Sequence, residues 1–70
     1  MKYPIGTKYT PRRKHNYTAT IVDYLETRNL AGDIVEVRYV SQHHFCGQLV
    51  TDSDVSPTTI ARGNPQPPKP

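Results

Sequence analysis

The 70-residue sequence contains one cysteine, one phenylalanine and no tryptophan. Because Cys46 has no partner within the chain, no internal disulfide can form, and non-covalent contacts must hold the fold together. No apolar run approaches the roughly 18 residues that a membrane-spanning helix requires. The first residues also lack the apolar stretch of a signal peptide. We therefore expect a cytoplasmic protein without a membrane partner.

Acidic residues are missing from the first seventeen positions. That segment carries five cations, whereas residues 18–70 hold four cations and six acids, so the two parts have net charges of +5 and −2. A basic end on a small domain produces a local positive potential that attracts polyanions. The charge distribution therefore favours a nucleic acid or an acidic protein as the partner.

Helical spacing of apolar residues is also absent over any useful length. Runs rich in β-branched and aromatic residues predict five short strands. The second and third runs flank Asn29 and Gly32, which suit a turn, so these strands should form an antiparallel hairpin. Gly47 predicts a bulge or bend in the fourth strand, and residues 52–55 predict a single tight helical turn. The predicted strands lie within residues 4–10, 17–25, 33–40, 43–51 and 58–62.

Five strands with one short helical turn before the last predict an all-β fold, a small and strongly bent five-stranded barrel. The order of the Gly6-Thr7-Lys8-Tyr9 start, the hairpin and the Asp54-Val55 turn resembles SH3-like barrels of the Tudor and KOW type. An OB-like barrel is the alternative. The predicted domain covers residues 1–62, and the proline-rich residues 63–70 are expected to form a disordered tail.

Several segments resemble small proteins encoded by tailed phages of enteric bacteria. They include Thr20-Ile21-Val22-Asp23, Gly32-Asp33-Ile34-Val35 and Arg38-Tyr39-Val40. The resemblance implies a phage origin and the cytoplasm of a host cell. It assigns no functional residue.

The strongest candidate site is the basic run that follows Pro11. Cations can contact phosphates, and neighbouring aromatic rings can stack on bases. The alternative is a solvated loop whose charges keep a small protein soluble. The residues predicted to bind nucleic acid or an acidic partner are Arg12, Arg13, Lys14, His15, Tyr9 and Tyr17.

These residues favour a non-enzymatic module that engages host nucleic acid or a nucleic-acid-processing complex through its basic loop. The alternative is a protein–protein effector that inhibits a host enzyme or a defence factor. A third possibility is an oligomeric SH3-like reductase subunit, because the chain resembles the plasmid-borne dihydrofolate reductase in size and barrel type. That family's Val-Gln-Ile-Tyr stretch is replaced here by residues 47–50, Gly-Gln-Leu-Val, without the tyrosine.

Two further clusters are weak candidates for metal chemistry. His43, His44 and Cys46 lie within four positions, but a structural zinc site needs four ligands. Asp52 and Asp54 lack the spacing of a calcium loop and suit a helix cap better. The sequence therefore predicts no catalytic residue, no metal and no cofactor, and it leaves the oligomeric state open.

Overall fold

One antiparallel sheet organises the chain. The structure, a computed structural model, describes residues 3–11 and 17–68. Its four strands are hydrogen-bonded in the order β1-β2-β3-β4, which confirms the predicted all-β class. The elements are β1 (Lys8–Tyr9), β2 (Ala19–Arg28), β3 (Ile34–Phe45), β4 (Gln48–Val55) and the short helix α1 (Pro57–Arg62).

The predicted five-stranded barrel is not found in residues 3–11 and 17–68. β1 and β4 are the two outer strands of the sheet and do not pair with each other, so the sheet stays open. β1 is two residues long and meets β2 in only two register pairs, which is too little to close a barrel. The relationship to SH3-like barrels therefore stays a prediction.

A helix replaces the fifth strand. The predicted strand at residues 58–62 is wrong because Ser56 caps a helix: its side-chain oxygen accepts a hydrogen bond from the Thr59 amide. Pro57 occupies the start of α1, where its fixed φ is favourable. Ile60 is fully buried and anchors the helix to the sheet. No helix in the described part of the chain has the length and apolar character that a bilayer crossing requires.

A β3–β4 hairpin turn interrupts the segment that was predicted to form the fourth strand, residues 43–51. Residues 43–45 belong to the end of β3, and a two-residue turn at Cys46 and Gly47 connects it to β4. Both turn residues have positive φ, 52° and 77°, as a type I′ hairpin turn requires. The predicted helical turn at residues 52–55 is also wrong, because this segment pairs with β3 as the end of β4.

The β2–β3 hairpin agrees with its prediction. The two strands pair over eight register positions, with bulges near Val22 and Val35. Gly32 has a φ of 87°, and Asn29 closes the turn because its side-chain oxygen accepts hydrogen bonds from the amides of Ala31 and Asp33. The outer half of this hairpin extends beyond the core and exposes apolar side chains, namely Leu25, Leu30, Ile34 and Val35.

The core is small and draws on every element. Tyr39 lies at its centre with no exposed surface, and the ring of Tyr3 meets it edge-on at 5.7 Å. Such an aromatic contact contributes about 0.5–1.5 kcal/mol beyond its buried area. The buried apolar residues are Tyr9, Ala19, Ile21, Tyr39, Val55 and Ile60.

The proline-rich segment lies along β1. Gln66 exchanges two backbone hydrogen bonds with Lys8, at 3.0 and 2.7 Å, and so covers the outer side of that strand. The Thr10 amide donates to the Gly63 carbonyl. This close approach requires a glycine at position 63, because a β-carbon there would lie 2.6 Å from the backbone oxygen of Thr10.

Replacing Gly63 with alanine tests this approach. We expect Gly63→Ala to lower the free energy of unfolding by about 1–3 kcal/mol, the usual cost of inserting a methyl group into a packed contact. Urea denaturation measures the change. Arg62→Ala is the matched control, because Arg62 directly precedes Gly63 and its side chain is exposed. It should change the free energy of unfolding by about 0.5 kcal/mol or less. Equal stability of Gly63→Ala and the native protein would contradict the contact.

Candidate functional site

An open groove of about 680 Å³ lies on the face of the sheet that carries the core. Small-molecule sites usually measure about 300–1,000 Å³, so the groove is large enough for a base or a side chain of a partner. Aromatic rings and carboxylates line it together. The lining residues are Tyr9, Pro11, Tyr17, His43, Phe45, Val50, Thr51, Asp52, Ser53, Asp54, Val55 and Thr59.

The alternation of β3 positions the groove. Successive residues of a strand point to opposite faces, so Tyr39, Ser41, His43 and Phe45 share one face. Tyr39 and Ser41 are buried in the core, and His43 lies at its border with 8% exposure. Phe45 comes after the core has ended and is 51% exposed. The groove is thus the continuation of the core face beyond the last core residue.

Tyr17 and His43 form the aromatic floor of the groove. Their rings are stacked, with centroids 4.3 Å apart and planes 22° from parallel. Among the described residues, the buried Nδ1 atom of His43 has no hydrogen-bond partner, and Oδ2 of Asp52 lies 3.8 Å from it. Asp52 is half exposed, so its carboxylate faces both the imidazole and the solvent. A small movement would close this gap to hydrogen-bond distance.

Tyr9 belongs to the core and lies below this floor. It is 2% exposed, and its hydroxyl shares a 2.7 Å hydrogen bond with the Ser41 hydroxyl. Burial raises the pKa of Tyr9 above its ordinary value, and the negative charge of Asp52 adds to the effect, whereas the bond to Ser41 opposes it. A ring with so little exposed surface supports the groove and does not offer a stacking face.

The structure describes part of the site that the sequence predicts. Arg12, Arg13, Lys14 and His15 lie outside the described residues. The residues on either side of this basic segment, Pro11 and Tyr17, both line the groove. Arg12, Arg13 and Lys14 therefore lie within three sequence positions of a groove residue. Tyr17, one of the two rings predicted to stack on bases, lies in the groove.

The described residues are acidic overall. They carry four cations and six acids, a net charge of −2, whereas Lys2, Lys69 and the basic segment hold the other five cations. Asp52 and Asp54 both line the groove; the Asp52 carboxylate lies beside His43 on the core face, whereas the Asp54 carboxylate lies 3.6 Å from Arg38. Carboxylates accept hydrogen bonds from amino groups and repel phosphates. The groove therefore suits bases or cationic groups, and phosphate contacts must come from the basic segment.

Three groove residues were missed as site residues by the sequence reasoning: His43, Phe45 and Asp52. The alternation of His43 and Phe45 could have shown that they share a face, but the predicted strand began at residue 43 and hid their link to Tyr39. Cys46, a weak metal candidate, is an exposed turn residue instead. Within residues 3–11 and 17–68, no group of three or more histidine, cysteine or acidic side chains is placed to hold a metal ion.

Comparison with known proteins gives no relative for this chain. No protein-family model matches it, and no curated protein or solved structure is significantly similar to it. The function must therefore be argued from the groove and its charges.

Removal of the Tyr9–Ser41 hydrogen bond tests its contribution to stability. We expect Tyr9→Phe to cost about 1–3 kcal/mol at neutral pH, because it leaves a buried Ser41 hydroxyl without its partner. Tyr9→Phe/Ser41→Ala should cost less than the sum of the two single changes, because it removes both partners. Urea denaturation of the four proteins measures the coupling, and strictly additive costs would contradict it.

The raised pKa of Tyr9 predicts how the stability of the protein changes at alkaline pH. Since the pKa of Tyr9 is raised in the folded state, its stabilising contribution is fully present below the ordinary value of 10.0 and is lost as the pH rises through the folded pKa. Phenylalanine does not ionise. The stability difference between the native protein and Tyr9→Phe should therefore narrow above pH 10, and denaturation curves between neutral and alkaline pH measure it. A difference that widens would contradict the raised pKa.

Proposed function

We propose that the protein is a non-enzymatic binding module that engages single-stranded nucleic acid. In this proposal Arg12, Arg13 and Lys14 contact phosphates, and unpaired bases enter the groove beside Tyr17 and Phe45. The phage origin stays a prediction, and in this proposal it places the partner in the host cell.

One observation carries the proposal: both residues that flank the basic segment line an aromatic groove. Pro11 precedes the cations, and Tyr17 follows them with its ring stacked on His43. In this proposal the short stretch of chain between Pro11 and Tyr17 brings phosphate-seeking side chains to the end of the sheet that carries the aromatic rings. Stacking on such rings contributes about 1–3 kcal/mol per base in single-strand binders.

The acidic groove favours a single strand over a duplex. A duplex presents phosphates on its whole outer surface, which Asp52 and Asp54 would repel. A single strand can turn its bases inward and its phosphates outward. The N–H groups of the bases, such as N3–H of thymine, can then donate to the Asp52 carboxylate, while the basic segment holds the phosphates.

A second candidate is a protein–protein effector, and the β2–β3 hairpin favours it. The outer part of this hairpin exposes Leu25, Leu30, Ile34 and Val35 without a covering element among the described residues. Clustered apolar surface is typical of protein interaction sites. Capture from a host lysate after nuclease treatment separates the two candidates, because a protein partner survives the nuclease. Loss of that partner in Leu30→Ser/Val35→Ser would locate the contact on the hairpin.

The phosphate contacts predict a salt dependence. If three cations neutralise three phosphates, the logarithm of the association constant for oligothymidine should fall with the logarithm of salt concentration with a slope of about −2. The triple change Arg12→Gln/Arg13→Gln/Lys14→Gln should bring that slope close to zero. Fluorescence anisotropy over a salt series measures both proteins. Arg62→Gln, a change of one exposed cation on α1, is the control and should leave the slope at about −2.

The aromatic contacts predict a loss of affinity that does not depend on salt. Phe45→Ala should weaken binding of oligothymidine by about 1–3 kcal/mol at every salt concentration. Leu25→Ala is the control, because it removes an exposed apolar side chain that pairs with Arg38 on the opposite face of the sheet. No binding at low salt, or equal affinities of Phe45→Ala and Leu25→Ala, would overturn the proposed site.

A further inference from the structure

The two edges of the sheet differ in the described residues. At the β1 edge, Gln66 pairs with Lys8 and completes the backbone hydrogen bonding. At the other edge, β4 is eight residues long, and no backbone hydrogen bond joins it to any described residue outside β3. An outer strand of this length presents a row of amide and carbonyl groups to which a further strand can pair.

Two carboxylates flank this edge on opposite faces of the sheet. Asp52 pairs in register with Ser41 on the core face and lies 3.8 Å from His43. Asp54 lies after a bulge and contacts Arg38, which alternates to the outer face, at 3.6 Å. Both carboxylates remain accessible, with 51% and 82% of their side-chain surface exposed. β4 itself contains no cation.

From this arrangement we infer that the β4 edge binds an extended cationic peptide by strand addition. Consecutive residues of an added strand point to opposite faces, so two adjacent cations would meet Asp52 on one face and Asp54 on the other. The cation on the core face would enter the groove at Asp52, next to the stacked rings of His43 and Tyr17. This site is separate from the phosphate contacts of the proposed function.

A second copy of the chain is a poorer occupant. Antiparallel pairing of β4 with its own copy would bring the aspartates of the two strands close together, and like charges across strands are destabilising. Acidic side chains on an outer strand are a common means of preventing such self-association. Charge complementarity therefore selects a cationic partner.

The test uses the full chain and the peptide Ac-Thr-Val-Arg-Arg-Val-Thr-NH2 at up to about 1 mM, since strand addition by a short peptide is weak. In a ¹⁵N correlation spectrum we expect the amide shifts of residues 48–55 to move on titration. Two control peptides have the same length. In the first, glutamates replace both arginines. In the second, N-methyl groups on alternate amides prevent one edge of the peptide from donating hydrogen bonds. Both should bind at least threefold more weakly.

Asp52→Asn/Asp54→Asn is the matching protein variant, because it removes both charges without a change of shape. It should bind the arginine peptide about threefold or more weakly, since exposed ion pairs contribute little individually. Asp23→Asn/Asp33→Asn, which removes two charges away from β4, should keep the affinity. A dispersed spectrum shows that each variant is folded.

Three results would overturn the inference: no shift at the highest peptide concentration, shifts confined to residues outside β4, and equal binding of the arginine and glutamate peptides. Light scattering adds a fourth. A dimer of the free chain whose interface maps to residues 48–55 would show that a second copy occupies the edge. Loss of oligothymidine binding in Arg12→Gln/Arg13→Gln/Lys14→Gln, with peptide binding intact, would distinguish the peptide contacts at this edge from the phosphate contacts of the basic segment.

Discussion

A hydrogen bond between two buried hydroxyls, those of Tyr9 and Ser41, connects the shortest strand of the protein to the longest. β1 pairs with β2 at only two register positions, and further backbone hydrogen bonds hold it and the residues beside it to Ile21 and to Gln66. The Tyr9 side chain crosses the core and secures it to β3, 32 positions away in sequence. Other contacts rely on this anchor, since Gly63 packs against Thr10 and Tyr9, and Gln66 pairs with Lys8. A core without a disulfide thus depends on one polar contact that must remain satisfied.

The groove follows from the same constraint. Seventy residues bury too little surface to cover both ends of a twelve-residue strand, so the core face of β3 continues beyond the core. Tyr9 fills the space below His43 and Tyr17, and Phe45 is left exposed at the end of the strand. Aromatic side chains that would complete a larger core become a surface that a ligand can use. In this protein the boundary of the core and the candidate site are the same place.

Sequence reasoning succeeded where the signal was local and repetitive. The runs of β-branched and aromatic residues on either side of Asn29 and Gly32 specified the β2–β3 hairpin. It failed where one contact decides between two local structures. The β-branched residues before Ile60 favour a strand, but the Ser56 cap and the burial of Ile60 select a helix. Cys46 lacks the usual turn chemistry, so the β3–β4 turn, and with it the place of His43 and Phe45 in the groove, could not be read from residue types.

Charge and backbone pairing divide the surface into parts with different partners. The basic segment and the acidic described residues have opposite net charges, so the phosphates of a polyanion are complementary to the basic segment and not to the acidic groove. Backbone pairing adds a second division, because the β1 edge is covered by Gln66, whereas the β4 edge has no partner in the described chain. Asp52 belongs to both surfaces, because it faces the groove beside His43 and also borders the open β4 edge. A base in the groove and a cation at the edge would both use this carboxylate. Because both ligands would compete for Asp52, each should lower the affinity for the other, and this negative coupling would join the two binding surfaces of a very small protein.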